Sequence, residues 1–326
     1  MAVKRVKRVL NKAQAKEATY LFEAFEEFMA EKNAKNLSPS TIRNYRQSFS
    51  FFCEYHEFDS DTPITDITPS HFYSWINSLK LDQVKETSIN HYLRDTRAFM
   101  YWAMEEPRNY LPHFKINTIE AQEESIKLFP EDDIVALLEK PKRTDGFVEW
   151  RTWAIVNWVL ATGNRASTIC EVALTDVNFN KKEITLRHTK NKKAQIIPLS
   201  SALETVLKEY IRMWRKEAPI NGYMFPNIGE EQLTTNALRL SFGRYCASRG
   251  VKQTNIHGLR HNFAKMWVQN NGNMYALQSI LGHSSLEMTR RYVRLFGEDL
   301  KEDFDKYNPL DNIKRATKRT QAVRRS

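Results

Sequence analysis

The sequence predicts a mainly α protein with a small antiparallel β-sheet, divided into a helical first domain and an α+β second domain. Three observations carry this. Apolar residues recur at helical spacing through residues 18–105, leaving little room for a sheet. Three short β-rich segments, residues 177–179, 183–187 and 195–199, lie close together and are separated by the turn-forming Asn180-Lys181 and residues 189–192. Helical pattern then resumes over 202–215, 235–248, 258–270 and 274–281. A chain of 326 residues is long enough for two domains with proper cores.

In residues 20–34, Leu21, Phe25, Phe28 and Met29 share one stripe and Glu23, Glu26 and Glu27 occupy other faces. Ser38-Pro39 is a helix-start signal, a capping hydroxyl ahead of proline at the first helical position, and Thr68-Pro69 repeats it. They open helices over 39–55 and 69–79. A fourth helix over 87–104 aligns Ile89, Tyr92, Leu93, Thr96, Phe99 and Met100, a stripe read as core rather than as a platform for stacking bases. Pro107, Pro112 and the polar run 120–127 then mark a linker over 107–127. The second domain starts at Phe129-Pro130. There Glu131, Asp132 and Asp133 complement a helix dipole ahead of Ile134, Leu137 and Leu138, and serve as a cap rather than a metal site. Residues 150–162 are apolar enough for a buried helix. The resulting division is a basic tail (1–17), a helical domain (18–106), the linker (107–127), a second domain (128–310) and a basic tail (311–326).

The formal net charge is +10. Lys4, Arg5, Lys7, Arg8, Lys12 and Lys16 lie in residues 1–16 without an acid; Lys314, Arg315, Lys318, Arg319, Arg324 and Arg325 face only Asp311 in residues 311–326. The body between them is close to neutral, so charge alone argues only weakly for a polyanionic partner. Cys53, Cys170 and Cys246 are odd in number and widely spaced, which speaks against a disulfide framework or a zinc site and for reduced, buried thiols. With no membrane-length apolar run and no secretory signal, the expected location is the cytoplasm.

Four segments carry residue types that a phosphodiester transesterification needs: Thr162-Gly163-Asn164-Arg165, the turn around Lys190, His257-Gly258-Leu259-Arg260, and Leu281-Gly282-His283 followed by Tyr292. A phosphodiester is anionic, and arginine neutralises its non-bridging oxygens with a permanently charged, bidentate fork. Arg165 and Arg260 suit that task, and Arg260 lies one helical turn beyond His257, so both can face one site. Imidazoles at His257 and His283 can donate or accept near neutral pH. A phenol such as Tyr292, with pKa about 10, needs a base and a positive field to attack. Metal ligation by His257, His261 and His283 is the weaker reading, because HGLRH lacks the glutamate of HExxH and an arginine inside the site repels a cation. Neither metal nor cofactor is expected, and His261 is read as a core or supporting residue.

Together these motifs resemble the tyrosine recombinases, the family of phage integrases and Xer-type resolvases. The resemblance spans Phe129 to Tyr292, and the first domain is similar to the family's SAM-like core-binding module. It implies a C-shaped clamp around duplex DNA and a catalytic set of Arg165, Lys190, His257, Arg260, His283 and Tyr292. In that set Tyr292 is the nucleophile of a 3′-phosphotyrosine intermediate, and Lys190, with Lys192 and Lys193 beside it, is the general acid. His257 takes or relays the tyrosine proton and His283 binds the phosphate. The resemblance further implies double-stranded DNA as partner, a homotetramer on DNA, no ATP or metal, an accessory directionality factor in some settings, and a docking helix over 299–310. One departure is Thr168, where family members commonly carry an acid; Glu171 follows one turn on, and Asp176 matches a structural aspartate. The alternatives are a type IB topoisomerase and an inactive DNA-binding member of the fold. The target sequence is not legible, since base contacts and DNA deformability set it.

Overall fold

A computed structural model describes residues 19–122, 126–187, 194–283 and 285–296. Lys190 with Lys192 and Lys193, the docking segment 299–310 and both basic tails lie outside the described residues. The chain separates into two compact units, 1–124 and 125–326.

The first unit contains α1 (Leu21–Ala34), α2 (Pro39–His56), α3 (Pro69–Leu81) and α4 (Glu86–Met104), with a 3₁₀ turn at Ile64–Asp66. Ser38 caps α2 by accepting from the Thr41 N–H at 3.2 Å. At α3 the cap runs in the opposite direction from the one the sequence suggests: the Thr68 N–H donates to Nδ1 of His71, 3.1 Å away. The imidazole reaches back, as the third residue of a capping box does. Apolar stripes meet in an aromatic core, where Phe25 stacks on Phe49 at 3.7 Å between centroids and Phe99 stands edge-on to both at 5.2 and 5.5 Å. Ring pairs of this kind add about 0.5–1.5 kcal/mol each beyond their burial. Ile89, Leu93, Phe99 and Met100 are buried, which makes the α4 stripe core. Leu111 and Ile116 are buried in the same core, and the Asn90 amide pairs with both backbone groups of Ile119 at 2.9 and 3.0 Å. The segment after Pro107 is thus strapped onto this unit as far as Ile119.

The second unit opens with α5 (Glu131–Leu138), whose first turn carries Glu131, Asp132 and Asp133. Next come α6 (Phe147–Thr162), the short α7 (Ala166–Ile169) and a 3₁₀ turn at Leu174–Asp176. Strands β1 (Val177–Asn178), β2 (Glu183–Leu186) and β3 (Gln195–Pro198) form an antiparallel sheet in that order, with Ile184 opposite both Val177 and Ile197. Then α8 (Ser201–Tyr210), α9 (Thr235–Ser248), α10 (His257–Gln269), α11 (Met274–Leu281) and α12 (Leu286–Phe296) follow. Trp150, Trp153, Ile155, Val156, Trp158 and Val159 bury α6 nearly all round, so it is the central helix, with α8, α9 and α10 packed on it. Two details differ from the sequence reading. β1 is shorter than expected, and the helix from Ser201 changes to π geometry over Ile211–Arg215. The three cysteines are buried and unpaired, and burial pushes each thiol up to about 12. No described helix is long and apolar enough to cross a membrane.

Candidate active site

Three helix ends and one helix face converge in the second unit. α6 stops at Gly163, whose φ of +62° is left-handed. A Cβ there would lie 2.5 Å from the Phe263 ring and 2.7 Å from Leu281, so both the backbone conformation and the close approach demand glycine. The next residue, Asn164, accepts from the Trp158 indole at 2.9 Å, which fixes the entry to Arg165. α11 ends in the same way at Gly282, with φ +61°. This leaves the Leu281 carbonyl at a helix C-terminus, the negative end of the helix dipole. Both arginines use it: Arg165 Nη1 donates at 3.3 Å and Arg260 Nη2 at 3.0 Å. Arg260 Nη1 also donates to the Gly163 carbonyl at 2.6 Å. One carbonyl therefore sets the spacing of two cations that come from sequence segments almost a hundred residues apart.

The histidines and the tyrosine complete the cluster. Arg260 Nη2 lies 2.9 Å from His283 Nε2. Since a guanidinium only donates, that nitrogen is the acceptor, and the imidazole proton sits on Nδ1, facing Thr289 Oγ1 at 2.9 Å. Thr289 is fully buried and Tyr292 is only 5% exposed, both on α12. The Tyr292 ring lies parallel to His283 at 6.3 Å between centroids. Its hydroxyl is 2.7 Å from Nδ1 of His261, whose ring meets that of His257 edge-on at 4.8 Å. Arg165, Arg260, His283 and Tyr292 thus share one cluster, and His257 adjoins it through His261.

His261, Thr289, the Leu281 carbonyl and the Gly163 close approach are members that motif reading did not place. The i, i+4 spacing of His257 and His261 was visible, but not that the second ring meets a phenol 31 residues later. Lys190 lies outside the described residues. The base of its hairpin does not: Gln195, paired with Leu186, donates from Nε2 to the Ser279 carbonyl at 2.5 Å on α11. Asp176 accepts from the Ala173 N–H at 2.9 Å and from Arg187 Nε at 2.5 Å, tying the end of β2 to the turn before β1. Thr168 is buried in α7, and the Glu171 N–H bonds its carbonyl at 3.2 Å.

The electrostatics are those of a site short of negative charge. Arg260 is 2% exposed, and its partners among the described residues are two carbonyls and a neutral imidazole. Burial, then the Arg165 charge, lowers it to about 10; burial lowers Arg165 as well. His257, His261 and His283 each fall to about 4, first through crowding by protein and then through neighbouring positive groups, Arg260 among them for all three. His257 is so affected even though part of it is exposed to solvent. Burial raises Tyr292 against the pull of Arg260, Arg291 and Arg165. At neutral pH the phenol is protonated and the imidazoles are neutral. The two paired histidines have their Nδ1 atoms engaged and Arg260 stands on the remaining nitrogen of His283, an arrangement that fits an anion and not a metal cation.

Residues 127–298 match the sequence pattern described as the phage integrase family, and residues 23–107 match the phage integrase N-terminal SAM-like domain. The chain is 28% identical over 309 residues to the tyrosine recombinase XerA of Pyrococcus furiosus, covering 91% of this chain and 98% of the relative. It is 24% identical to XerD of Staphylococcus haemolyticus, covering 84% and 94%. Among solved structures, the Tn1549 transposon integrase in complex with transposon right end DNA matches with a TM-score of 0.68 at 16% identity, covering 89% of this chain and 99% of that one. The XerH site-specific recombinase bound to its palindromic difH substrate matches at 0.65 and 19%, covering 89% of each. These two share the fold. The curated relatives are recombinases, which disfavours the topoisomerase alternative. The chain belongs to the phage integrase family, the tyrosine-type site-specific DNA recombinases.

Proposed function

We propose that this recombinase cuts DNA with Tyr292 as nucleophile and that Arg165, Lys190, His257, Arg260 and His283 serve the same phosphate. The supporting observation is the buried Arg260, held beside Arg165 by carbonyls and lacking a carboxylate among its described partners. Burying a cation uncompensated is unfavourable. A phosphodiester entering between the two guanidiniums supplies the missing charge, most of all as negative charge grows on its oxygens in the transition state. Tyr292 then attacks phosphorus, the 3′-phosphotyrosine forms, and the 5′-oxygen leaves with a proton from Lys190, whose hairpin is anchored beside the site by Gln195. Once Arg260 turns to phosphate and its charge is offset, His283 can take up a proton on Nε2 and donate it to the same oxygens, and His257 assists proton transfer. Because the phosphotyrosine keeps the energy of the broken bond, a second 5′-hydroxyl can reseal without ATP or metal.

The partner in this reading is a double-stranded recombination site bound by a homotetramer in the cytoplasm, with an accessory directionality factor where the reaction must run one way. A tetramer on a Holliday junction is the form of a lambda integrase that shares this fold. The catalytic domain over 128–310 belongs to the same proposal, and of the linker expected over 107–127 the part up to Ile119 packs on the first unit, which leaves the residues after it as the connection. The proposal's test is covalent capture from a randomised pool of nicked DNA duplexes. Wild type should retain a protein–DNA adduct through denaturing electrophoresis and Tyr292→Phe should not; no adduct with wild type sinks the reading.

A further inference from the structure

The Tyr292 hydroxyl is 2.7 Å from Nδ1 of His261, a residue of α10 directly after Arg260. We propose that His261 is the general base that receives the Tyr292 proton during strand cleavage. This rests on Tyr292 being the nucleophile.

Buried hydroxyls need partners, so the contact alone could be structural. The kind of acceptor separates the two roles. Tyr245, buried in the same unit, donates to the backbone carbonyl of Leu137 at 2.8 Å, and in the first unit the half-buried Tyr101 donates to the carbonyl of Ile116 at 3.3 Å. A carbonyl satisfies a phenol and cannot take its proton. An imidazole nitrogen can. Tyr292 is nearly closed off from solvent, so bulk water is poorly placed to do this instead. His261 is also neutral at physiological pH and so has a free lone pair for the phenol. Its ring contacts those of His257 on its own helix and Tyr292 on α12, and it feels the positive charges of Arg260 and Arg291. An incoming phosphate offsets the arginine charges and raises the basicity of His261 when the proton must move. Placement next to Arg260 in sequence ties the base to the residue that binds the phosphate.

The step balances without any further reactant. The Tyr292 Oη–phosphorus bond forms as the phosphorus–O5′ bond breaks. The phenol proton passes to His261 Nδ1, and the departing oxygen keeps the bonding pair and takes a proton from Lys190. Resealing returns both protons along the same paths.

The test uses a nicked duplex captured by wild type from the randomised pool, made with either oxygen or sulfur at the scissile 5′ position. Sulfur leaves without protonation, so it rescues loss of a general acid and not loss of a base. His261→Ala and His261→Gln should both slow cleavage by about 10²-fold or more with either leaving atom, whereas sulfur should restore Lys190→Ala. Cleavage by His261→Gln within about threefold of wild type overturns the proposal, since an amide can hold the phenol but cannot take the proton. Rescue of His261→Ala by sulfur overturns it as well. Should these variants fail to fold, ¹⁵N NMR of the full-length chain reads the contact directly. His261 Nδ1 in wild type should resonate as an unprotonated acceptor and shift in Tyr292→Phe; no shift overturns the proposal. An adduct formed by Tyr292→Phe would instead remove the nucleophile assignment on which it rests.

Discussion

The aromatic core of the helical unit and the arginine–histidine cluster of the second unit are both buried, and they are built on opposite principles. Phe25, Phe49 and Phe99 place rings against rings, so each contact is satisfied within the protein. Arg165, Arg260, His261, His283 and Tyr292 are joined by hydrogen bonds, but the two arginine charges have no carboxylate among their described partners. The first arrangement contributes to stability. The second holds in place, at some expense of stability, a field that a ligand completes.

The comparison is broken most severely at Arg260. Arg260→Met should lower the rate of adduct formation by about 10³-fold, in line with loss of a transition-state charge donor. It should also leave the melting temperature unchanged or higher, because a buried uncompensated cation gives way to an apolar chain of similar length. A large fall in melting temperature would show that this cation supports the fold as the rings do. Phe99→Ala is the converse: about 3–5 kcal/mol of stability lost by denaturant titration, with adduct formation per folded molecule little changed. Gly163→Ala lies between the two. Its left-handed φ and the 2.5 Å approach to Phe263 should cost about 1–3 kcal/mol of stability, and displacement of the Gly163 carbonyl should slow cleavage by loosening Arg260.

The smallest effect sharpens the contrast through pH. His257, His261 and His283 titrate near 4 in the folded protein against an ordinary 6.5. Between those values the unfolded chain binds more protons than the folded one, so stability declines as pH falls from about 6.5 toward 4. Denaturant midpoints across that range should follow this slope, and His283→Gln should flatten it. An unchanged slope in that variant would assign the acid sensitivity elsewhere.

Much of this was legible along the chain. Helical spacing located α1 to α4, Ser38-Pro39 marked the start of α2, and the short β-rich runs marked the sheet, because each signal lies within a few residues of what it specifies. Arg165, His257, Arg260, His283 and Tyr292 could be named from short motifs that resemble the family's, and the structure brings Arg165, Arg260, His283 and Tyr292 together with His257 adjoining. The reversed cap at Thr68 was not, since serine- or threonine-proline looks alike whether the hydroxyl caps or the His71 ring returns the bond. Nor were α7 and the 3₁₀ turns, which are too short to show a period.

The sequence by itself therefore determined the two-part, mainly helical architecture through local spacing, and the family through the resemblance of its short motifs; it named candidate site residues without placing His261 among them. Tertiary structure alone decided that the Leu281 carbonyl joins two distant arginines and that Tyr292 meets His261 rather than a backbone carbonyl. Those contacts cross 116, 21 and 31 residues of chain. They arise from how α6, α10, α11 and α12 pack, which no short stretch of residues encodes.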